Sequence, residues 1–133
     1  MQLPNDPMPR HRLKLAEITR SHGVIDPVFL NSPQYDCEPL STALGCSLTL
    51  KLDFTNPIRS FKGRGASFLV RSLTERDPKD CQLIVGASAG NWGQAMAYVC
   101  RQAGRPIVLY ASVIANALKV ECMRALGAEV RLH

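Results

Sequence analysis

No apolar run in this 133-residue sequence approaches the length of a membrane span: runs such as Leu83–Val85 and Ile107–Leu109 are far too short. The N-terminus, Met1-Gln2-Leu3-Pro4-Asn5-Asp6, has no apolar stretch of the kind that forms a secretory signal. Arg10, His11, Arg12 and Lys14 make a basic opening, but Asp6 and Glu17 interrupt it, so a mitochondrial leader is disfavoured. The five cysteines, Cys37, Cys46, Cys81, Cys100 and Cys122, contain no CxxC pair and are odd in number. That argues against a disulfide framework or a zinc site and for a reducing compartment, so a cytoplasmic location is expected. No run of five or more like charges exists, although the net charge is +5. Scattered cations of this kind fit a solvated basic surface or an anionic small ligand better than nucleic acid. Repeats and low-complexity tracts are also missing. What is present is 46% hydrophobic residues and 20% charged, enough for one domain with a real core.

Six prolines, Pro4, Pro7, Pro9, Pro27, Pro33 and Pro39, keep the first part of the chain from forming long regular elements. It reads as a wrapping segment with short helices. From Leu48 onward, Leu48, Leu50, Leu52 and Phe54 alternate with Thr49, Lys51 and Asp53, the period of a half-buried strand. Ala66, Leu69, Val70 and Leu73 then predict an amphipathic helix over residues 60–76. Leu83–Ala87 is a continuous apolar run, expected to be a strand covered on both faces. A helix follows over Asn91–Ala103, with Trp92, Ala95, Met96, Val99 and Ala103 inward and Gly104 as its stop. Pro106–Ala111 repeats the buried strand and Ala115–Leu126 the helix, closed by Gly127, and Ala128–Leu132 starts a further strand. Alternation of this kind predicts an α/β fold, an open parallel sheet with flanking helices. Its middle strands are expected at Leu83–Ala87 and Pro106–Ala111. Cys100 and Cys122 fall at apolar helical positions, where thiols pack as small hydrophobes.

Ligands of open parallel sheets bind at the carboxyl ends of the strands. Two loops placed there carry unusual residues. One is Asn56-Pro57-Ile58-Arg59-Ser60-Phe61-Lys62-Gly63-Arg64-Gly65-Ala66. It sets a lysine in the first turn of a helix, the unfavourable end of the helix dipole for a cation. Two glycines beside it weaken that turn by about 1 kcal/mol each. The pair suggests a close anion, or a lysine not meant to remain a free ammonium. The other loop is Gly86-Ala87-Ser88-Ala89-Gly90-Asn91-Trp92-Gly93. Its glycines alone leave two readings open, a small turn with an asparagine N-cap or a ligand loop.

Together these segments resemble the fold-type II pyridoxal-phosphate enzymes. Ser60–Ala66 is similar to their S-F-K-x-R-G-A segment, and Ser88–Gly93 to their S-x-G-N-x-G loop. Glu38-Pro39-Leu40 with Leu50-Lys51 resembles the T-P-L and L-K region upstream. Lys119-Val120-Glu121 and Leu126-Gly127-Ala128-Glu129-Val130 resemble the K-V-E…G-A-E-V helix and strand downstream. The likeness runs from about Phe29 onward. Within the family the text sides with threonine/serine dehydratases, serine racemases and diaminopropionate ammonia-lyases. Cysteine synthases prefer a charged residue after the lysine and a T-S-G-N-T-G loop, and neither is present.

The resemblance implies pyridoxal 5′-phosphate as cofactor and a small amino acid such as threonine or serine as substrate. It implies a lyase that eliminates ammonia, with a diaminopropionate ammonia-lyase or a racemase as the alternative. Lys62 would carry the cofactor as a Schiff base and later move protons at the substrate carbons, helped by burial and a cationic neighbour. Phe61 would pack near the cofactor ring, and Asn91 would hydrogen-bond its 3′ oxygen. Ser88, Ala89 and Gly90 would shape the pocket for the substrate carboxylate with helix N-terminal amides. Arg64 reads better as a structural arginine bridging loops than as a catalytic one. His11, His22 and His133 match no family position and read as surface residues.

Two departures stand out, Trp92 where many relatives have histidine and Glu38 in place of the threonine of T-P-L. None of the nine glycines forms the phosphate-binding tetraglycine-type loop, and no Ser, Thr or Cys for the pyridine nitrogen is recognised. The expectation is therefore a fragment. Residues 1–47 would wrap a large domain, and 48–133 would be a small α/β domain carrying the lysine, incomplete at its C-terminus. Full-length relatives would be homo-oligomers, with no nucleic-acid or membrane partner. The 133-residue chain alone is expected to associate through an unpaired strand edge and through exposed Met96 and Met123, and to be catalytically silent. The competing reading is a non-catalytic α/β module.

Overall fold

The computed structural model describes residues 13–76 and 82–133. Arg10, His11, Arg12, Pro4, Pro7, Pro9 and Cys81 lie outside the described residues. The chain runs through helix α1 (Leu15–Val24), strand β1 (Gln34–Asp36), helix α2 (Glu38–Leu44) and strand β2 (Thr49–Lys51). Helix α3 (Lys62–Arg76), strand β3 (Ile84–Ala87), helix α4 (Asn91–Gln102), strand β4 (Ile107–Ala111), helix α5 (Ala117–Ala125) and strand β5 (Glu129–Leu132) follow. Short 3-10 turns occupy Pro27–Phe29 and Asp53–Thr55.

Beyond Lys62 the elements form where the hydrophobic period places them. Helices α4 and α5 are each followed by a glycine in the left-handed region, Gly104 at φ 63° and Gly127 at φ 91°, a conformation that turns the chain off the helix. Helix α5 begins at Asn116, whose side chain accepts the Lys119 N–H. The parallel sheet has the order β3-β4-β5, with Val85 opposite Val108 and Leu109 opposite Val130. Central β4 is buried along almost its whole length. Its Leu109 joins Val70, Met96, Cys100, Val120 and Met123 in the core, each large apolar side chain contributing roughly 1.5–3 kcal/mol by leaving water.

Several expectations need correction. The alternating segment at residues 48–54 is a strand only over Thr49–Lys51, and it does not enter the parallel sheet. It pairs antiparallel with β1, Tyr35 opposite Leu50, a strand the sequence did not reveal. The alternation fails at Asp53, which turns inward to meet Arg64 and bends the chain into the 3-10 turn. Strand β3 is an edge strand rather than a middle one, and one face of it is bare: Leu83 is 52% and Val85 59% exposed. Only its Ile84 and Gly86 side is covered, Gly86 by the Trp92 ring and Leu109. The buried stripe of α3 is Gly63, Ala66, Ser67 and Val70, with Leu69 exposed, and Ala103 is exposed at the end of α4. Met96 and Met123, expected on an open face, are 1% and 0% exposed. Met123 fits against Gly93, where any Cβ would lie 2.7 Å from its sulfur.

Among the described residues, no helix is long and apolar enough to cross a membrane, and no group of three His, Cys, Asp or Glu could hold a metal ion. Cys100 is buried and Cys122 half-buried, as small hydrophobes on helices.

Candidate active site

Lys62 opens α3, and a web of side-chain bonds shapes the loop before it. Buried Asn56 is its hub. The Asn56 amide oxygen accepts from the Ile58 and Ser60 N–H groups at 3.1 and 3.3 Å. Its NH2 donates to the Asp53 and Ser60 carbonyls at 2.7 and 3.0 Å. An asparagine that satisfies four backbone groups within eight residues fixes a turn no helix or strand could hold. Arg59 takes a left-handed φ of 52° in that turn, a conformation that costs energy in a non-glycine residue and tends to accompany functional loops. The Ser60 hydroxyl then accepts the Lys62 N–H.

The Lys62 side chain is exposed. Its Nζ lies 4.8 Å from the centre of the Phe61 ring, and it makes no ion pair among the described residues. The burial invoked for this lysine is therefore not supplied by them. Phe61 is itself exposed. Arg64, by contrast, is fully committed. It donates to the Phe29 carbonyl at 3.0 Å, to the Ser32 hydroxyl at 2.8 Å and to both carboxylate oxygens of Asp53. Burial alone would raise the Asp53 carboxyl, but the Ser32 hydroxyl and Arg64 outweigh it and hold it below the ordinary range. Arg64 is thus a bridging arginine, as expected. Gly63 has a packing reason: a Cβ there would clash with the Phe29 ring.

The second loop leaves β3 at its carboxyl end. The Ser88 hydroxyl accepts the N–H groups of Gly90 and Gly93 at 3.2 and 3.1 Å, binding the loop to the first turn of α4. Gly90 is the N-cap residue, so the asparagine-cap reading of Asn91 does not hold. Asn91 stands one position later, exposed, and its amide oxygen accepts from the Lys119 ammonium at 2.6 Å. Ala89 is exposed. Trp92 lies back over Gly86, so its ring packs on the sheet.

Helices α3 and α4 run side by side. Ser67, Val70, Arg71, Thr74 and Glu75 of α3, Val99, Gln102 and Ala103 at the end of α4, and Asp26 before them line a cavity of about 490 Å³. Lys62 stands at the start of α3 and Asn91 at the start of α4. The cavity has neither Lys62 nor Asn91 in its wall.

Sequence reading missed Asn56, Asp53, Ser32, Gln94 and Lys119 as shapers of the two loops. Asn56-Pro57 carried a turn signal that could have found the first. Ser32 and Lys119 are joined to the loops by long-range contacts that no local pattern announces.

The chain matches, over residues 25–133, the family model described as pyridoxal-phosphate dependent enzyme. Cysteine synthase 1 of Neurospora crassa is 36% identical over 120 residues, covering 87% of this chain and 32% of that protein. L-serine dehydratase/L-threonine deaminase of Bos taurus is 35% identical over 106 residues, covering 80% and 32%. The structure overlays a pyridoxal 5′-phosphate-dependent aspartate racemase with a TM-score of 0.84 at 24% identity, covering 94% of this chain and 39% of that one. The chain thus spans about a third of the proteins it resembles, and identity does not divide dehydratase from cysteine synthase.

Proposed function

Because the chain belongs to the fold-type II family of pyridoxal-phosphate-dependent enzymes, we propose that it supplies the cofactor lysine, Lys62, of a lyase that eliminates ammonia from threonine, serine or a similar small amino acid. The observation that supports this reading is the character of two groups that open successive helices, Lys62 on α3 and Asn91 on α4. One is a lysine amine with no ion pair among the described residues, and the other is an asparagine amide whose oxygen accepts from Lys119.

The donor set fits pyridoxal phosphate. A primary amine free of carboxylates is the group that condenses with an aldehyde. Asn91, with its oxygen held by Lys119, has its NH2 to offer to an oxygen of the ligand. Arg64 and Asp53 neutralise each other and so stay out of the chemistry. When bound, the cofactor ring delocalises the electron pair left on the substrate α carbon. The chain's own part is to bind, orient and move protons. Lys62 would hold the cofactor through its aldehyde and would move a proton at the substrate carbons. Phe61, whose ring centre lies 4.8 Å from the Lys62 Nζ, would pack near the cofactor ring. Ser88, Ala89 and Gly90 would present the start of α4 to the substrate carboxylate, with the Gly93 N–H already taken by the Ser88 hydroxyl. Within this reading residues 1–47 wrap a larger domain, 48–133 form the small domain, and the complete protein is an oligomer.

The test is chemical. After incubation with pyridoxal 5′-phosphate and reduction with borohydride, peptide mapping is expected to place the label on Lys62. Lys62→Ala should remove it and Arg71→Ala, on the same helix, should not. Label on Lys51 or Lys119 in both variants would overturn the assignment. In the complete protein, ammonia released from serine or threonine supports the lyase, whereas inversion without ammonia points to a racemase.

A further inference from the structure

We propose that Lys119 is a positioning residue for Asn91, fixing which way its amide faces and so turning an ambivalent side chain into a dedicated hydrogen-bond donor toward the ligand. The proposal rests on the functional reading above. Three observations carry it.

The first is geometry. Lys119 Nζ lies 2.6 Å from Asn91 Oδ1 and 3.2 Å from Gln94 Oε1. Asn91 and Gln94 are three residues apart on α4, so they share one helical face, and both turn their oxygens to the same ammonium. The second is chemistry. An ammonium has donors and no acceptor, so an amide facing it must present oxygen. The NH2 of Asn91 then points elsewhere, and an amide free to flip would offer a ligand oxygen either a donor or a repelling lone pair. The third is placement. Lys119 stands in the first turn of α5, where the helix dipole disfavours a cation. Yet its backbone is pinned there by Asn116, which accepts the Lys119 N–H on its side chain at 3.3 Å and on its carbonyl at 3.0 Å. A cation held at the wrong end of a helix, half-buried and aimed at a loop residue of the neighbouring βα unit, serves that loop. An ammonium already donating to two oxygens is also poorly placed to act as the aldehyde-binding amine, which separates its role from that of Lys62.

Two measurements on the full chain test this, the first without cofactor. In 15N-edited NMR spectra of wild type, the Asn91 side-chain NH2 is expected as a distinct pair of resonances displaced from those of a free amide. Lys119→Met should return them to free-amide positions, and Lys119→Arg, which keeps a donor, should largely preserve them. Unchanged Asn91 resonances in Lys119→Met would overturn the proposal whatever the cofactor does. The second is titration with pyridoxal 5′-phosphate followed by absorbance. Lys119→Met should weaken binding about tenfold, the scale of one charge-assisted hydrogen bond. The double variant Lys119→Met/Asn91→Ala should bind no more weakly than Asn91→Ala alone. Additive losses would show that Lys119 acts independently of Asn91 and sink the proposal. If wild type fails to bind the cofactor at all, the functional reading falls, and the resonance comparison still decides the Lys119–Asn91 contact.

Discussion

The half of the chain before α3 and the half after it are held together in different ways. Helices α1 and α2 bury no residue, and every position of β1 is exposed. This region is attached at a few points: Phe29 seated on Gly63 and edge-on to Tyr98, Asp26 N–H on the Ser67 hydroxyl, and Arg64 gathering Phe29, Ser32 and Asp53. The β3–β5 unit instead rests on continuous apolar packing, with Leu109, Met96 and Met123 almost fully enclosed. A point-attached region should come loose when one anchor is cut, whereas a packed region should fail as a whole. Lys62 sits at the seam, its helix packed on one side and its loop tied to the other by Asn56 and Ser60.

The largest effect is expected from Phe29→Ala, about 3–5 kcal/mol for the loss of a buried ring. Hydrogen exchange should place that loss in residues 25–60 while β4 stays protected. Uniform loss across both regions would break the contrast. Leu109→Ala should cost about 2–5 kcal/mol, and here denaturant unfolding should show the entire β3–β5 unit melting together.

Asp53→Asn probes the polar anchor and should cost about 1–3 kcal/mol at neutral pH, the worth of hydrogen bonds to a charged group. Its pH dependence follows from sign. The folded carboxyl titrates below its ordinary 3.8, so its contribution is present above that value and lost as pH falls through the folded one. Wild type should therefore lose stability below about pH 4, and the variant should lose less. Equal acid profiles would remove Asp53 from the attachment. The smallest effect is reactivity. Burial pushes the Cys100 thiol up to about 11, with Arg105 pulling weakly the other way, whereas Cys46 is exposed. Iodoacetamide near pH 8 should label Cys46 and spare Cys100, and mapped alkylation checks it.

Legibility followed the same division. In the packed region, hydrophobic period and glycine stops located α4, β4, α5 and β5, because burial imposes its period on the sequence. The error there concerned neighbours: the apolar run at Leu83–Ala87 suggested two covered faces, but which strand lies at an edge is a property of the sheet. In the attached region Gln34–Asp36 gave no signal, since a three-residue exposed strand needs no apolar pattern.

By itself, the sequence determined the chemistry available: an amine at Lys62, an amide at Asn91 and a serine-glycine loop, in an order that marks the family. Tertiary structure decided what each group is free to do. It spent Arg64 on Asp53, Gly63 on Phe29 and Trp92 on Gly86, and it brought Lys119 across 28 residues to the Asn91 oxygen. The reason is physical. Residue type sets which bonds a side chain can make, but which it does make depends on partners that only folding brings within about 3 Å of it.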